Sequence, residues 1–169
     1  MEIRRIQISD VPDSLALWDR VYSEGAFLAK GPPPEAKVLR VIETVVKEKI
    51  PNFVATDGSK IIGAVEVFPG TMCGETFDGA EKRGHLGIQI DSLHRGKGIG
   101  HELMLIAIED SKRYGFESIE LYVYQSNLPA IRLYEKLGFK VTCYEDSVTL
   151  PAGIETRAQG MTLSLVQTD

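Results

Sequence analysis

Cysteine, positive charge and long apolar runs are all scarce in this sequence. Its two cysteines, Cys73 and Cys143, are too few for a disulfide framework and lack the spacing of metal ligands. No run of about 18 apolar residues is present, and the first residues alternate in polarity instead of forming the apolar stretch of a signal peptide. We therefore expect a protein of the reducing cytoplasm that lies outside membranes.

The charge balance excludes one further class of protein. The chain has 19 Lys and Arg residues against 24 Asp and Glu residues, a net charge of -5. An acidic surface does not favour binding to nucleic acid through its phosphates. With 169 residues, 43% of them hydrophobic, the chain is long enough to bury an ordinary apolar core. We therefore predict a single domain over residues 1–169.

The first half of the sequence predicts three strands and two helices. The strands are expected at residues 2–8, 52–56 and 60–68, with Asp57-Gly58-Ser59 as a hairpin turn between the last two. A first helix is expected to begin after Asp10 and to end near Gly25, and a second covers about 35–49. Residues 69–84 are rich in glycine and polar groups, which predicts a long surface loop.

The second half alternates strands with helices. Strands are expected over 86–90, 118–124, 139–144 and 159–166, and helices over about 98–114 and from Asn127 or Ser126 to the residue before Gly138. This alternation predicts parallel pairing here, whereas the hairpin predicts antiparallel pairing elsewhere. The expected fold class is therefore α/β, or α+β, with a mixed and mostly antiparallel sheet flanked by about four helices.

The most informative stretch joins the 86–90 strand to the next helix through the turn Arg95-Gly96-Lys97-Gly98-Ile99-Gly100. Glycines allow a tight turn, and the unpaired N–H groups at the start of the helix point outward. Those groups and the helix dipole favour a diphosphate, with Arg95 and Lys97 adding charge at the rim. The turn matches neither the Walker pattern nor the six-residue dinucleotide pattern. A plain strand-to-helix connection is the alternative interpretation.

A second element, Asn127-Leu128-Pro129-Ala130-Ile131-Arg132-Leu133-Tyr134-Glu135-Lys136-Leu137-Gly138-Phe139, narrows the interpretation. Together with Arg95, Gly98 and Gly100 of the turn, it resembles the GNAT superfamily of acetyl-CoA-dependent N-acetyltransferases. The detailed likeness covers about residues 84–139, which we take as the cofactor-binding core. The resemblance implies a GNAT-like fold and acetyl transfer from acetyl-CoA to a primary amine of a small molecule, amino acid or peptide.

The same resemblance assigns residues to the cofactor. It implies that the turn holds the coenzyme A diphosphate, that the end of the preceding strand contacts the pantetheine arm, and that Asn127 contacts the same arm. Tyr134 matches the usual acid that returns a proton to the departing thiolate. The cofactor set is Ile88, Gln89, Ile90, Arg95, Gly96, Lys97, Gly98, Ile99, Gly100, His101, Asn127 and Tyr134. The alternative for Tyr134 is a core aromatic that shares a helix face with its apolar neighbours.

A general base is also needed, because an amine must be neutral to attack a thioester. Enzymes of this family that acetylate protein N-termini often have Glu five residues before the motif Asn, where this chain has Tyr122. Glu120, two residues earlier on the same strand face, is the first candidate base, and Glu66 is the second. His85 or a bound water are further candidates, although His85 should point away from Leu86. The histidines do not form a metal-binding pattern, and no metal is expected.

The acceptor amine is the least defined partner. By analogy with the family, Phe27, Glu66, Tyr122 and Tyr124 are expected to lie near it. An acidic protein suits a cationic amine, and dimers are common in the family, so a homodimer stays open. The competing hypothesis from another class is a coenzyme A-binding module that acts as a sensor or assembly partner without transferring acetyl.

Overall fold

A computed structural model describes residues 1–167 of the chain. It contains one seven-stranded sheet, ordered β1-β2-β3-β4-β5-β7-β6, and four α-helices. The strands are β1 Glu2–Arg5, β2 Asn52–Asp57, β3 Lys60–Pro69, β4 Arg83–Ile90, β5 Ser118–Tyr124, β6 Lys140–Thr149 and β7 Glu155–Ser164. The helices are α1 Val11–Ser23, α2 Glu35–Glu48, α3 Ile99–Tyr114 and α4 Leu128–Lys136. Over residues 1–167, no helix is both long enough and apolar enough to cross a membrane.

The sheet is mixed and mostly antiparallel, as predicted. Only β4 and β5 run parallel; the other neighbouring strands are antiparallel. The predicted parallel pairing of β5 with the strand after α4 was wrong, because β7 returns between them and pairs with both. The β2–β3 hairpin has the expected turn, with Asp57 opposite Lys60.

The parallel pair separates soon after it begins. Arg83, Gly84 and His85 of β4 pair with Ser118, Ile119 and Glu120 of β5, and no later residues of the two strands pair. The backbone of residues 86–90 continues to pair with β3 on its other side. We call the opening between β4 and β5 the wedge. It widens toward the carboxyl ends of both strands, where the glycine-rich turn begins.

Two apolar cores lie on the two faces of the sheet. One forms under α3 and α4 and contains Leu86, Leu103, Ile119 and Tyr134 among its buried members. The other forms under α1 and α2, around side chains that include Leu17 and Ile42. Alternation along each strand therefore decides which core a residue joins. Even-numbered residues 86–90 of β4 face the first core, and odd-numbered residues face α1 and α2.

Three boundaries differ from the sequence prediction. The first strand ends at Arg5, because the Asp10 carboxylate accepts the N–H of Gln7 at 2.8 Å and turns the chain into a short 3₁₀-helix at Ile8–Asp10. The expected loop at 69–84 contains two 3₁₀-helices, Gly70–Cys73 and Ala80–Lys82. Strand β6 continues to Thr149 and β7 begins at Glu155, which gives a longer hairpin than predicted, and β7 ends at Ser164 instead of 166. Every residue of β6 is exposed, so no hydrophobic alternation marked its length.

Candidate functional site

The glycine-rich turn has the geometry of an anion site. Gly96 and Gly98 have φ angles of +73° and +83°, which residues with a side chain rarely adopt. Gly98 forms the N-cap of α3, so the N–H groups of Ile99, Gly100 and His101 have no partner within the helix. An added Cβ at Gly96 or Gly98 would meet no protein atom within 4 Å. The turn therefore presents free N–H groups, next to open space, at the mouth of the wedge.

Arg95 does not point to the rim of this turn. Its guanidinium donates two hydrogen bonds of 2.6 Å to the Glu24 carboxylate, just after α1, and its Nε donates to the Ile90 carbonyl at 3.0 Å. The guanidinium also lies 4.6 Å from the centre of the Phe27 ring. The Glu24 carboxylate thus neutralises the positive charge of Arg95, which the sequence assigned to phosphate binding. Lys97 remains as the cation of the turn. Arg95 instead joins the end of α1 to the turn.

Asp91, the residue after β4, fixes the other side of the turn. It is 3% exposed and accepts hydrogen bonds from the Leu93 N–H at 3.1 Å and Arg20 Nε at 2.8 Å. Desolvation opposes its ionisation, but the Leu93 N–H and the Lys60, His94 and Arg20 side chains lower the pKa of Asp91 to about 2. The carboxylate therefore stays charged and holds α1 and the β2–β3 hairpin beside the turn. Sequence reasoning missed this role.

Replacing Arg95 with Met should lower the free energy of unfolding by about 1 to 2 kcal/mol, because a bidentate charged pair and a cation–π contact are lost. Denaturant unfolding of Arg95→Met, Glu24→Gln and the double variant measures this coupling. Arg113→Met is the matched control, since Arg113 pairs with Glu109 on the exposed side of α3. Equal losses in Arg95→Met and Arg113→Met would contradict the proposed role.

Helix α4 packs against the mouth of the wedge. A Cβ on Gly100 would lie 3.5 Å from Leu133 Cδ2 and 3.9 Å from Ile90 Cγ1, so the start of α3, the end of β4 and α4 meet there. Asn127, one of the two predicted caps, is the N-cap of α4, and its Oδ1 accepts the Ala130 N–H at 3.4 Å. Within residues 1–167 the Asn127 amide N–H₂ donates no hydrogen bond, so it is available for other contacts.

Tyr134 lies in the core under α3 and α4, with its ring centre 5.9 Å from that of Phe139. It is 6% exposed, and burial raises the pKa of its phenol to about 12. The hydroxyl is therefore protonated throughout the physiological pH range. The structure places Tyr134 in the core, as the alternative interpretation expected, and its role as the acid stays a prediction.

Glu66 lines a cavity of about 60 Å³ on the α1 and α2 face. Burial raises the pKa of its carboxyl to about 7. It stands opposite Asn52 on β2 and opposite Gly87 on β4. A carboxyl with this pKa can take up or release a proton near neutral pH. Because Gly87 belongs to the part of β4 that borders the wedge, the cavity and the wedge share that strand.

Glu120 has a different environment on the same face of the sheet. It pairs with Arg83 and accepts a hydrogen bond from the Thr162 hydroxyl at 3.4 Å. With Tyr122 it lines a separate groove of about 220 Å³, bordered also by β6 and β7. His85 faces away from Leu86, as predicted, and its Nε2 lies 2.9 Å from Glu75 Oε1.

The structure thus separates the residues that the sequence grouped around the acceptor. Glu66 lies in the cavity, Phe27 lies against Arg95, and Tyr122, which is 53% exposed, lies in the Glu120 groove. Tyr124 lines neither space. Sequence reasoning did not find the cavity partners Ser14 and Asn52, because a single polar residue on an apolar face gives no pattern.

Known proteins resemble this chain in sequence and in fold. The model of the acetyltransferase (GNAT) family matches residues 18–139. A mycothiol acetyltransferase of Corynebacterium glutamicum is 37% identical over 54 residues, which are 32% of this chain and 18% of that protein. The chain therefore matches less than a fifth of that relative's length.

Solved structures share the fold over nearly the whole chain. A ribosomal-protein-alanine N-acetyltransferase from Brucella melitensis has a TM-score of 0.84 and 20% identity, covering 98% of this chain and 100% of that one. A GNAT superfamily phosphinothricin acetyltransferase from Sinorhizobium meliloti, in complex with acetyl-CoA, has a TM-score of 0.80 and 20% identity, covering 97% and 88%.

Proposed function

This chain belongs to the GNAT acetyltransferase family, and on that premise we propose that it transfers acetyl from acetyl-CoA directly to a primary amine. The observation that carries the proposal is the wedge between β4 and β5, with the glycine-rich turn at its mouth and Tyr134 in the adjoining core. The two exposed free cysteines suit a reducing compartment, and we place the activity in the cytoplasm.

The residues present fit the proposed cofactor. The N–H groups of Ile99, Gly100 and His101 would hold the diphosphate, and Lys97 would add a positive charge. The backbone edge of residues 86–90 that faces the wedge lacks a strand partner and would bind the amide groups of the pantetheine arm. The exception is the Ile90 carbonyl, which already accepts a hydrogen bond from Arg95 Nε. The free amide N–H₂ of Asn127 is available to the same arm. Bound acetyl-CoA supplies an activated thioester.

Glu66 is the general base that the structure favours over Glu120. Its carboxyl titrates near neutral pH, lines a cavity beside β4 and forms no ion pair within residues 1–167. Glu120 is already paired with Arg83. An ionised Glu66 would take one proton from the ammonium form of the substrate, and the neutral amine would then attack the thioester carbon.

The remaining protons can be assigned to this chain's residues. As the new C–N bond forms and the C–S bond breaks, the Tyr134 hydroxyl would donate a proton to the departing sulfur. The attacking nitrogen would then pass its second proton to the Tyr134 oxygen, which regenerates the phenol, and the proton held by Glu66 would pass to solvent. The phenol pKa of about 12 exceeds that of a free thiol, so the transfer from phenol to sulfur should be coupled to the transfer from nitrogen to the phenol oxygen.

Thiol release from acetyl-CoA with a panel of primary amines tests the activity. We expect release that depends on both acetyl-CoA and an amine, accompanied by a mass increase of one acetyl group on the amine. Tight acetyl-CoA binding without release from any amine would instead support the non-catalytic binding module.

Replacing Gly98 with Val should weaken acetyl-CoA binding by at least tenfold, because a side chain would occupy the space beside the free N–H groups and would strain the left-handed backbone. Gly115→Val is the matched control. Gly115 ends α3 with a φ of +108° and also has no atom near an added Cβ, so it carries similar strain away from the turn. Calorimetric titration of both variants measures the difference. Equal affinities would exclude the turn as the diphosphate site.

A further inference from the structure

The Glu66 cavity combines apolar walls with polar groups that lack partners. Its lining residues are Ile6, Ser14, Leu15, Trp18, Val38, Ile42, Asn52, Ala64, Glu66, Gly87 and Gln89. Asn52 is 3% exposed, yet neither its Nδ2 nor the buried Ser14 Oγ has a hydrogen-bond partner among residues 1–167. Buried polar groups are normally satisfied, so unpaired ones beside a cavity point to a ligand that completes them.

The hydrogen-bonding capacity of these groups describes the ligand. Asn52 Nδ2 can only donate, so it needs an acceptor such as a hydroxyl or carbonyl oxygen. The Ser14 hydroxyl can either donate or accept, and an ionised Glu66 can only accept. A primary ammonium with a nearby neutral oxygen would satisfy all three groups. The apolar walls formed by Leu15, Trp18 and their neighbours suit a short hydrocarbon body.

The charge of the residues that line the Glu66 cavity also restricts which ligand it can hold. Within the described part of the chain, Glu66 is the only charged residue that lines the cavity, and none of the eleven lining residues is Lys, Arg or His. A ligand with a carboxylate or phosphonate would place its negative charge near Glu66 without a cation to compensate it. The cavity therefore selects against acid groups.

The position of the cavity relates it to the proposed reaction. Gly87 lies directly opposite Glu66 in the β3–β4 register, on the segment of β4 that borders the wedge. An added Cβ at Gly87 would lie 2.9 Å from Glu66 Oε1, so the absence of a side chain keeps the carboxyl accessible from β4. An amine held by Glu66 would lie one strand away from the pantetheine arm.

We propose that this cavity is the acceptor site and that its substrate is a compact primary monoamine without an acid group, carrying a neutral hydroxyl or carbonyl oxygen. Glu66 binds the ammonium, Asn52 and Ser14 bind the oxygen, and the apolar walls enclose the carbon chain. This inference rests on the proposed acetyl transfer, and it excludes free amino acids as preferred substrates.

Three matched compounds test the substrate class: norvalinol, norvalinamide and norvaline. They share one carbon chain and one amine, and only norvaline carries a carboxylate. For the wild-type protein we expect kcat/KM, measured by thiol release, to be at least tenfold higher for norvalinol and norvalinamide than for norvaline. A preference for norvaline, or equal values, would overturn the substrate class and leave acetyl transfer intact. No release with any of them or with a wider amine panel would overturn the proposed function and this inference together.

A charge variant of the cavity wall separates electrostatic selection from shape. Gln89→Lys adds a cation to the wall and should reduce the preference for norvalinamide over norvaline by at least fivefold. Gln89→Met has a side chain of similar length without charge and should keep the wild-type preference. Equal ratios in Gln89→Lys and Gln89→Met would overturn the electrostatic argument. Asn52→Leu should raise the KM for norvalinol more than it lowers kcat, and an unchanged KM would remove Asn52 from the site.

Discussion

Tyr134→Phe should lower kcat by about 100-fold or more while changing acetyl-CoA affinity by less than about threefold. The substitution removes only the hydroxyl, so the ring can keep its contact with Phe139 and its place in the core. Without the phenol, the departing thiolate receives no proton within the site. Single-turnover rates of thiol release, together with calorimetric titration of acetyl-CoA, measure the two quantities separately.

Tyr114→Phe provides the matched control for this experiment. Tyr114 ends α3 and stacks on Phe116 with ring centres 4.9 Å apart, away from the start of that helix. We expect kcat of Tyr114→Phe to equal that of the wild type. If Tyr134→Phe also keeps the wild-type kcat, the phenol has no part in the reaction and Tyr134 is a structural aromatic.

Glu66→Gln should lower kcat/KM by about 100-fold at pH 8 and should remove one ionisation from the pH profile. The base acts only when it is deprotonated, so wild-type kcat/KM should rise about tenfold per pH unit up to pH 7. Above that pH it should level off, because the pKa of Glu66 is about 7. The variant lacks this base and needs the neutral amine, so its kcat/KM should keep rising with pH until the amine itself is deprotonated, with no inflection near pH 7.

Glu120→Gln tests the other candidate base in the same assay. Because Glu120 is paired with Arg83, we expect this variant to keep the inflection near pH 7. Loss of the inflection in Glu120→Gln, with its retention in Glu66→Gln, would reverse the assignment of the base.

Glu66 should also make the folded protein less stable as pH rises. Below pH 4.5, its ordinary pKa, the carboxyl is protonated in both the folded and unfolded states and adds no penalty. Between pH 4.5 and 7 the unfolded state loses the proton first, so stability falls as pH rises. Above pH 7, Glu66→Gln should therefore be more stable than the wild type by about 2 to 3 kcal/mol. Denaturant unfolding at pH 4 and pH 8 measures this change, which should be absent at pH 4.

The parts of the site that depend on local chemistry could be predicted from the sequence. Gly96 and Gly98 need positive φ angles for the turn, and Asn127 caps the next helix, so each leaves a signal within a few residues. The length of the β6–β7 hairpin could not be predicted, because β6 is exposed throughout and only the middle of β7 is buried. The pairing of β7 between β5 and β6 is likewise decided by tertiary contacts.

The contacts that the sequence could not reveal join residues far apart in the chain. Arg95 meets Glu24 across 71 positions, and nothing near either residue indicates the partner. The Glu66 cavity joins Ser14 of α1, Asn52 of β2 and Glu66 of β3. Asn52 and Glu66 each stand between apolar neighbours, so nothing local marks them as members of one site. Only the register of the sheet and the packing of α1 bring them together.

The wedge between β4 and β5 also affects how the protein avoids aggregation. A strand edge with free N–H and C=O groups can recruit strands from other molecules, and proteins usually protect such edges at the margins of a sheet. Here the edge of residues 86–90, which has no strand partner and of which only the Ile90 carbonyl is bonded to Arg95, lies inside the sheet, with β5 and β7 beyond it. A flat strand from another chain cannot approach it side by side, whereas a slender extended ligand can enter from the open end. The fold thus keeps a backbone recognition edge available while shielding it from aggregation.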